Sequence, residues 1–360
     1  MDVHFAQDLG SYHNFNATLQ AGWRAWDWGL RSLAAKAANK GVTAAREGRK
    51  QMEAALAYAV RTTYLALVFS RRLEQVALFG LRLAKRRLRD VRVRNQAGLA
   101  KELDLLRARS TLAERRASLE SARQQIGKLS RVLALLCGVS GRIHASDGLA
   151  GLAGRPMPGV RRLDRIPSVR VMRLAADAKT LSARMELRRR WPTIDLTAGA
   201  SLLYPKNFFE KKWGPAYWAG VVLTWTLWDG MSHERAAAGA RAEAARSLRL
   251  ADAEMKKVRQ QLAADKADWR AAASELTAAR QRRDAAAAYL RAARAAVSAG
   301  TAKPLDILAA EQALLGGEAA MAKARFQRAL ARARVLFHLG IALDPFAKRG
   351  PSPRVSRREP

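Results

Sequence analysis

The sequence predicts a mainly α-helical protein with a small β part, built from two copies of a long antiparallel helical hairpin. Three observations support this prediction: the placement of proline, a repeat at a fixed offset, and short segments of alternating apolar and polar residues. Residues 1–155 and 216–303 contain no proline, and strong helix formers fill both stretches. Long helices are therefore expected in these two parts of the chain.

An internal repeat relates the two halves of the chain at an offset of 202 residues, without gaps. Seven residue pairs match at this offset, several of them of rare types: Trp23/Trp225, Trp26/Trp228, Asp27/Asp229, Gly98/Gly300, Asp104/Asp306, Leu112/Leu314 and Gly138/Gly340. A period this long excludes a solenoid and indicates a duplicated unit. In the second copy, apolar residues recur every seven positions from Leu248 to Leu276, which is typical of a coiled coil.

Three segments alternate apolar and polar side chains and predict β-strands with one apolar and one wetter face. They are residues 14–26, 193–204 and 217–228. Eight of the nine tryptophans lie in or beside them, at positions 23, 26, 28, 191, 213, 218, 225 and 228. The strand lengths suit a tilted bilayer span, and interfacial tryptophans are typical of membrane barrels. A soluble sheet packed on a core remains the alternative, although its open edges would need covering.

These signals predict a first repeat (1–138), a Gly/Pro-rich equatorial connector (139–167), a second repeat (168–340) and a basic disordered tail (341–360). The first repeat is predicted to contain strand 14–26, a long helix over about 30–97, a tip turn at 98–104 and helix 105–137. The second is predicted to contain helix 168–190, strands 193–204 and 217–228, a long helix over about 231–299, a tip turn at 300–306 and helix 307–339. Pro304 supports a turn, because proline inside a helix is unfavourable.

Composition narrows the functional classes. The chain has 65 Lys+Arg and 31 Asp+Glu, a formal charge of +34, which would permit nucleic-acid binding. The basic residues are spread along the chain with acidic residues between them, however, as on a solvated surface. The single cysteine, Cys137, excludes a disulfide framework and a Cys-based zinc site, and the five histidines have no metal-ligand spacing. We therefore expect no catalytic residues, metal or cofactor.

Three stretches of the chain resemble the outer-membrane efflux protein family of the TolC type. They are RNQAGLAKELDLLRARSTLAERR (94–116), RRRWPTIDLTAGASL…WAGVVLTWTLWDG (188–230) and VSAGTAKPLDILAAEQALL (297–315). The resemblance implies a homotrimer in the outer membrane of a Gram-negative bacterium. Three subunits would complete one transmembrane β-barrel and one α-helical barrel that forms a tunnel across the periplasm.

The resemblance also implies a function. The protein would be the passive exit duct of a tripartite efflux or type I secretion system, without a catalytic step. Its tips would dock with a periplasmic adaptor (membrane fusion) protein that serves an inner-membrane pump. Outer-membrane lipid is the other expected partner, and nucleic acid is not expected.

Site residues follow from the resemblance. The channel tip and aperture are expected at Gly98, Asp104, Gly300 and Asp306. Three copies of Asp306 would form an acidic ring that attracts cations; a helix-capping or turn role for each Asp is the alternative. The predicted membrane-interface aromatics are Trp23, Trp26, Trp213, Trp218, Trp225 and Trp228, and the predicted lipid-facing strand residues are Leu196, Val221 and Leu223.

The sequence departs from the family pattern in two ways. Only 13 residues precede strand 14–26, where the family has a signal peptide, an N-terminal helix and a further strand; the chain is therefore interpreted as N-terminally truncated or as starting inside a longer reading frame. The charge of +34 is also high, and the sequence does not place it in the lumen or on the outer surface. The alternative function is a soluble basic coiled-coil protein that binds nucleic acid or acts as a scaffold. That function leaves the tryptophan-rich strands and the repeat unexplained.

Overall fold

The computed structural model describes residues 15–141, 143, 145, 148–159, 162–204 and 212–342. The strands are β1 (Phe15–Trp26), β2 (Thr193–Tyr204) and β3 (Gly214–Thr224). The helices are α1 (Leu30–Gln96), α2 (Glu102–Cys137), α3 (Leu149–Ala153), α4 (Pro167–Arg188), α5 (Ser232–Ser298) and α6 (Pro304–His338), with a 3-10 turn at Leu163–Arg165. The predicted fold class, mainly α with a small β part, is confirmed.

The chain divides into two compact units. The first contains Met1–Arg46 and Val171–Asp252, and the second contains Glu47–Arg170 and Ala253–Pro360. The three-stranded sheet belongs to the first unit, and both helical turns belong to the second.

The sheet is antiparallel, in the order β1-β2-β3. Its register runs from Phe15 opposite Tyr204 to Trp26 opposite Ile194, with a β-bulge between Arg24 and Trp26. Because a bulge adds one residue to its strand, it moves Trp26 onto the same face as Ile194.

Strand β3 begins and ends earlier than predicted. The sequence predicted residues 217–228, whereas the strand spans Gly214–Thr224. Its last pair is Thr224 with Thr193, the first residue of β2. Pro192 precedes that residue and has no N–H to extend the ladder, so the strand beside it also ends.

In the second unit, helices α5 and α6 pack as an antiparallel hairpin. Near the turn, Leu290 and Ala293 contact Ala310. Farther along, Ala279 packs with Met321 and Ala324, and beyond it Val258 and Leu262 pack with Val335 and Leu339. Residue numbers fall along one helix as they rise along the other, which is the signature of an antiparallel pair. Small alanines at these contacts allow a close approach of the two helices.

The connector contains more structure than predicted. Helix α3 lies inside it and buries Leu149 and Leu152 in a core with Leu65 and Val68 of α1 and Ala329 of α6. The connector therefore contributes to the hydrophobic core of the second unit, because Leu149 and Leu152 pack against α1 and α6.

Four glycines that match between the halves end helices in the same way. Gly98, Gly138, Gly300 and Gly340 all have positive φ, between 64° and 76°. At each, the N–H of the glycine bonds the carbonyl three residues back, and the following N–H bonds the carbonyl five residues back. This is the Schellman motif, which favours glycine because a left-handed backbone strains residues with a side chain.

Some predictions lie outside the described residues: most of the tail 341–360, position 14 of the first strand, and positions 205–211 of the loop after β2. Within the described ranges, no helix combines the length and apolar character needed to cross a membrane.

Candidate membrane sheet and helical tips

One face of the sheet is apolar along its whole length. Alternation and the observed register place these residues on it: Phe15, Ala17, Leu19, Ala21, Trp23, Trp26, Ile194, Leu196, Ala198, Ala200, Leu202, Tyr204, Pro215, Tyr217, Ala219, Val221 and Leu223. Leu19 is 78% exposed, and Val221 and Leu223 are 69% and 62% exposed. A continuous apolar surface of this kind marks a site of contact with a partner or a membrane.

The opposite face carries polar groups. The Arg24 guanidinium donates to both carboxylate oxygens of Asp195, at 2.8 and 3.3 Å. The hydroxyls of Thr18 and Ser201 lie 3.1 Å apart in a hydrogen bond. The two faces of one sheet thus differ sharply in polarity, as they do in a strand that separates lipid from water.

Trp218 lies on this polar face, unlike Leu196, Val221 and Leu223. It pairs across the strand with Gly199. A Cβ atom at that glycine would stand 2.6 Å from the Trp218 ring, so the indole covers the glycine directly. The register therefore gives the predicted lipid-interface role of Trp218 no support, whereas it places Trp23 and Trp26 on the apolar face.

Aromatic clusters stand at both ends of the sheet. At one end, the Trp213 ring lies 5.4 Å from Tyr204 and 6.4 Å from Phe15, centroid to centroid. At the other end, Trp28 lies 5.9 Å from Trp26 and 5.0 Å from Trp191. Sequence reasoning missed the roles of Phe15 and Tyr204, whose signal was their place at strand ends.

Trp225 and Trp228 follow strand β3 and are exposed. The Trp225 indole N–H donates to the carbonyl of Arg190, at 3.3 Å, and so stays at the same end of the sheet as Trp191.

The spacing between the aromatic clusters can be compared with a bilayer. Ten residues separate Ile194 from Tyr204 along β2, which is about 33 Å at about 3.3 Å per residue. A strand tilt of roughly 40° reduces this to about 25 Å, the height of the apolar band in outer-membrane barrels. Sheet length, aromatic placement and apolar face therefore agree.

Asp27 organises the junction from β1 to α1. Its buried carboxylate accepts hydrogen bonds from the backbone N–H groups of Gly29 and Arg31, both at 3.0 Å, and from the Arg31 guanidinium at 2.9 Å. Burial alone would raise the pKa of Asp27, but these hydrogen bonds hold it below its ordinary value. The Arg188 guanidinium closes the junction by donating to the carbonyl of Trp28, at 2.8 Å.

The two tip turns share a backbone and differ in their capping. Asp306 accepts a hydrogen bond from the backbone N–H of Lys303, at 2.9 Å, and so caps the start of α6. Asp104 lies instead near the Arg107 guanidinium, at 3.8 Å. Gly98 and Gly300 end the preceding helices. Gly98 and Gly300 lie in the turns as predicted, whereas Asp104 and Asp306 lie in the first turns of α2 and α6, which begin three residues earlier than the sequence predicted. Pro304 is the first residue of α6, where its missing N–H breaks no helical hydrogen bond. The capping role considered for Asp306 has a direct hydrogen bond.

Within the described residues, no group of His, Cys, Asp and Glu side chains could hold a metal ion. Cys137 is exposed and unbonded to another cysteine.

The chain matches the family model for outer membrane efflux proteins over residues 5–139 and 160–340. It belongs to that family. The efflux protein is therefore an outer-membrane channel of tripartite efflux, and a passive duct rather than an enzyme. Nothing supports the soluble nucleic-acid-binding alternative.

Solved structures share the fold of this efflux protein. CusC, a transmembrane channel, superposes with a TM-score of 0.81 at 16% identity, over 91% of this chain and 77% of its own. The outer membrane protein VceC from Vibrio cholerae superposes with a TM-score of 0.74 at 16% sequence identity, over 91% of this chain and 87% of its own. The MtrE outer membrane channel of Neisseria gonorrhoeae superposes with a TM-score of 0.73 at 16% sequence identity, over 91% of this chain and 80% of its own. No curated protein sequence matches the chain.

Proposed function

We propose that three copies of the efflux protein close one barrel in the outer membrane, with the apolar face of the sheet toward lipid. The support is the division of the sheet into an apolar face that includes Leu19, Leu196 and Val221 and a polar face that includes the Arg24–Asp195 pair. Backbone groups at an open sheet edge cannot remain unpaired in lipid, so both outer strands require neighbours. Copies of the same chain supply them.

The polar face then lines the aqueous lumen. Arg24, Asp195 and Thr18 tolerate water there, and Trp218 becomes a lumen residue rather than a membrane-interface one. Trp23, Trp26, Trp213, Trp225 and Trp228 remain proposed interface aromatics. Trp23 and Trp26 lie on the apolar face toward the end of β1, Trp213 contacts Tyr204, and Trp225 and Trp228 follow β3.

The helical turns are proposed as the periplasmic docking end. Each turn is held by a Schellman glycine, Gly98 or Gly300, and carries an aspartate. Three Asp306 side chains, one per subunit, form an acidic ring at the aperture while each also caps its own helix. The adaptor of the tripartite system docks at these turns.

The duplicated unit is proposed to be residues 1–138 and 168–340, each supplying one helical hairpin to the tunnel. The matched Schellman glycines at the same offset support this division.

Reconstitution tests the proposal. The full chain, refolded in detergent, is expected to run as a trimer in native mass spectrometry and to conduct ions across planar lipid bilayers. A chain that stays monomeric and soluble after lipid is added, and that conducts no current, would contradict it. Binding of duplex DNA by such a monomer would favour the soluble alternative.

A further inference from the structure

Charge is distributed very unequally between the two tips. Within 17 residues on each side of Leu99, the first tip has twelve Lys and Arg and four Asp and Glu, a net charge of +8. The matching window around Thr301 has three basic and four acidic residues, a net charge of −1. The duplicated turns therefore present different chemistry to a partner.

Most cations of the first tip are exposed in the single chain. Ten of the twelve side chains are exposed; Arg87 and Arg115 are half-buried. Within the described part of the chain, one of these twelve cations forms an ion pair with a carboxylate: Arg107 lies 3.8 Å from Asp104. Exposed basic side chains without an ion-pair partner give this part of the surface a positive potential, which salt screens.

Part of this charge rims a groove. A cavity of about 310 Å³ lies between α1 and the second hairpin, and it is lined by Leu83, Arg86, Arg87 and Arg94 of α1 and by Val297 and Ile307 of α5 and α6. Its floor is apolar and its α1 side is cationic. Asp90, Arg294 and Glu311 also reach it, and the Arg294–Glu311 pair at 3.4 Å largely neutralises the opposite side.

We propose that this groove receives an amphipathic helix with an acidic polar edge, supplied by the periplasmic partner. An apolar floor accepts the apolar stripe of such a helix, and the guanidinium groups of Arg86, Arg87 and Arg94 accept its carboxylates. At the matching positions of the second repeat, residues 288, 289 and 296 are Ala, Tyr and Ala, so that repeat has no equivalent cationic rim. This inference rests on the proposed docking function and adds the chemistry of the partner.

Peptide binding to the refolded full chain tests the inference. The probe is a fluorescent synthetic amphipathic helix with glutamates along one edge and leucines along the other, followed by anisotropy near physiological salt. The double variant Arg86→Glu/Arg94→Glu should raise the Kd of this peptide roughly tenfold or more. The matched control, Arg109→Glu/Arg116→Glu, makes the same charge change at exposed positions of α2 outside the groove, and should raise it less than about threefold.

Further arms identify the occupant. A peptide with lysine in place of glutamate should bind the Arg86→Glu/Arg94→Glu variant more tightly than it binds the original chain. The inference would be overturned if both double variants lost the same affinity for the peptide. It would also be overturned if a scrambled acidic peptide or duplex DNA bound as tightly as the amphipathic helix, since either result would indicate diffuse attraction to polyanions. Absence of peptide binding would also overturn it.

Single-channel conductance of the same preparations separates this inference from the channel proposal. A conducting trimer that ignores the acidic peptide would leave the proposed function standing and remove only the partner chemistry. A preparation that binds the peptide but never conducts would contradict the channel function and leave the binding chemistry of the groove standing.

Discussion

The two halves of the chain share local backbone features at matching positions but differ in the charge of their surfaces. At the junction between strand and long helix, Trp28 and Gly29 both have positive φ, at 55° and 77°, and their counterparts Gly230 and Met231 do too, both at 65°. The glycine stands second in one copy and first in the other. The duplication thus preserves a local backbone path through different residues, and one bulky residue in each copy adopts the left-handed region.

The two tip turns also combine a similar backbone with different side chains. Their turns share the same backbone hydrogen bonds, whereas the net charges of the two tip windows are +8 and −1. Backbone geometry in this fold is set by a few glycines and capping carboxylates. Surface charge is free to differ, so binding specificity can differ between repeats without altering the fold.

The largest effect is expected from breaking one helix end. Gly340→Ala should lower the free energy of unfolding by roughly 2–4 kcal/mol, because φ is +66° there and the added Cβ would lie 2.5 Å from the Pro167 ring. Its counterpart Gly138→Ala has a similar φ of +64° but open space around it, and should lose only about 1 kcal/mol. Thermal unfolding followed by circular dichroism compares the two. Equal losses would mean that the Pro167 contact does not distinguish the repeats.

The capping aspartates give the next comparison. Asp27→Ala should cost about 1–2 kcal/mol, because two backbone N–H groups of a buried site lose their acceptor. Asp229→Ala should cost less than Asp27→Ala, since Asp229 is more exposed and accepts mainly from the backbone N–H of His233, at 2.7 Å.

Acid should reduce the difference in unfolding free energy between the original chain and Asp27→Ala. The pKa of this carboxyl is lowered in the folded chain, so its stabilisation is present at pH values above its unfolded pKa, about 3.9, and is lost as pH falls through the lower folded value. Urea unfolding at neutral pH and below about pH 4 checks this. A gap between the original chain and Asp27→Ala that is unchanged in acid would contradict the assigned hydrogen bonds.

The smallest effect on stability is expected at the tip. Asp306→Asn keeps an oxygen acceptor for the Lys303 N–H and removes the charge, so unfolding should change by less than about 0.5 kcal/mol. Single-channel cation selectivity should nevertheless fall if an acidic ring is present. Asp306→Ala removes cap and charge together and serves as the stability control. Selectivity that is unchanged in the Asn variant would leave Asp306 with its capping role alone.

Much of this fold could be read from the sequence, and the failures have physical causes. Proline-free stretches and period-two alternation predicted helices and strands, because proline exclusion and the strand pleat act locally. The end of β3 was predicted wrongly, because it depends on pairing with β2 beside Pro192 rather than on its own residues.

Other features depend on tertiary structure. Helix α3 was missed, since glycine flanks its leucines and its burial comes from contacts with α1 and α6. The face of Trp26 depends on a bulge, and the cationic groove depends on which helices meet. Neither leaves a periodic signal in the sequence.

The proposed channel requires that one face of the sheet meets lipid and the other meets water. Leu19→Arg and Gln20→Arg test it directly, because these neighbours lie on opposite faces near the middle of β1. Assembly into lipid vesicles and single-channel conductance are measured for both variants. Leu19→Arg should block assembly, since a charge facing mid-bilayer costs about 2–4 kcal/mol in each subunit, while Gln20→Arg should assemble and alter conductance. Assembly of Leu19→Arg as efficient as that of Gln20→Arg would contradict the account.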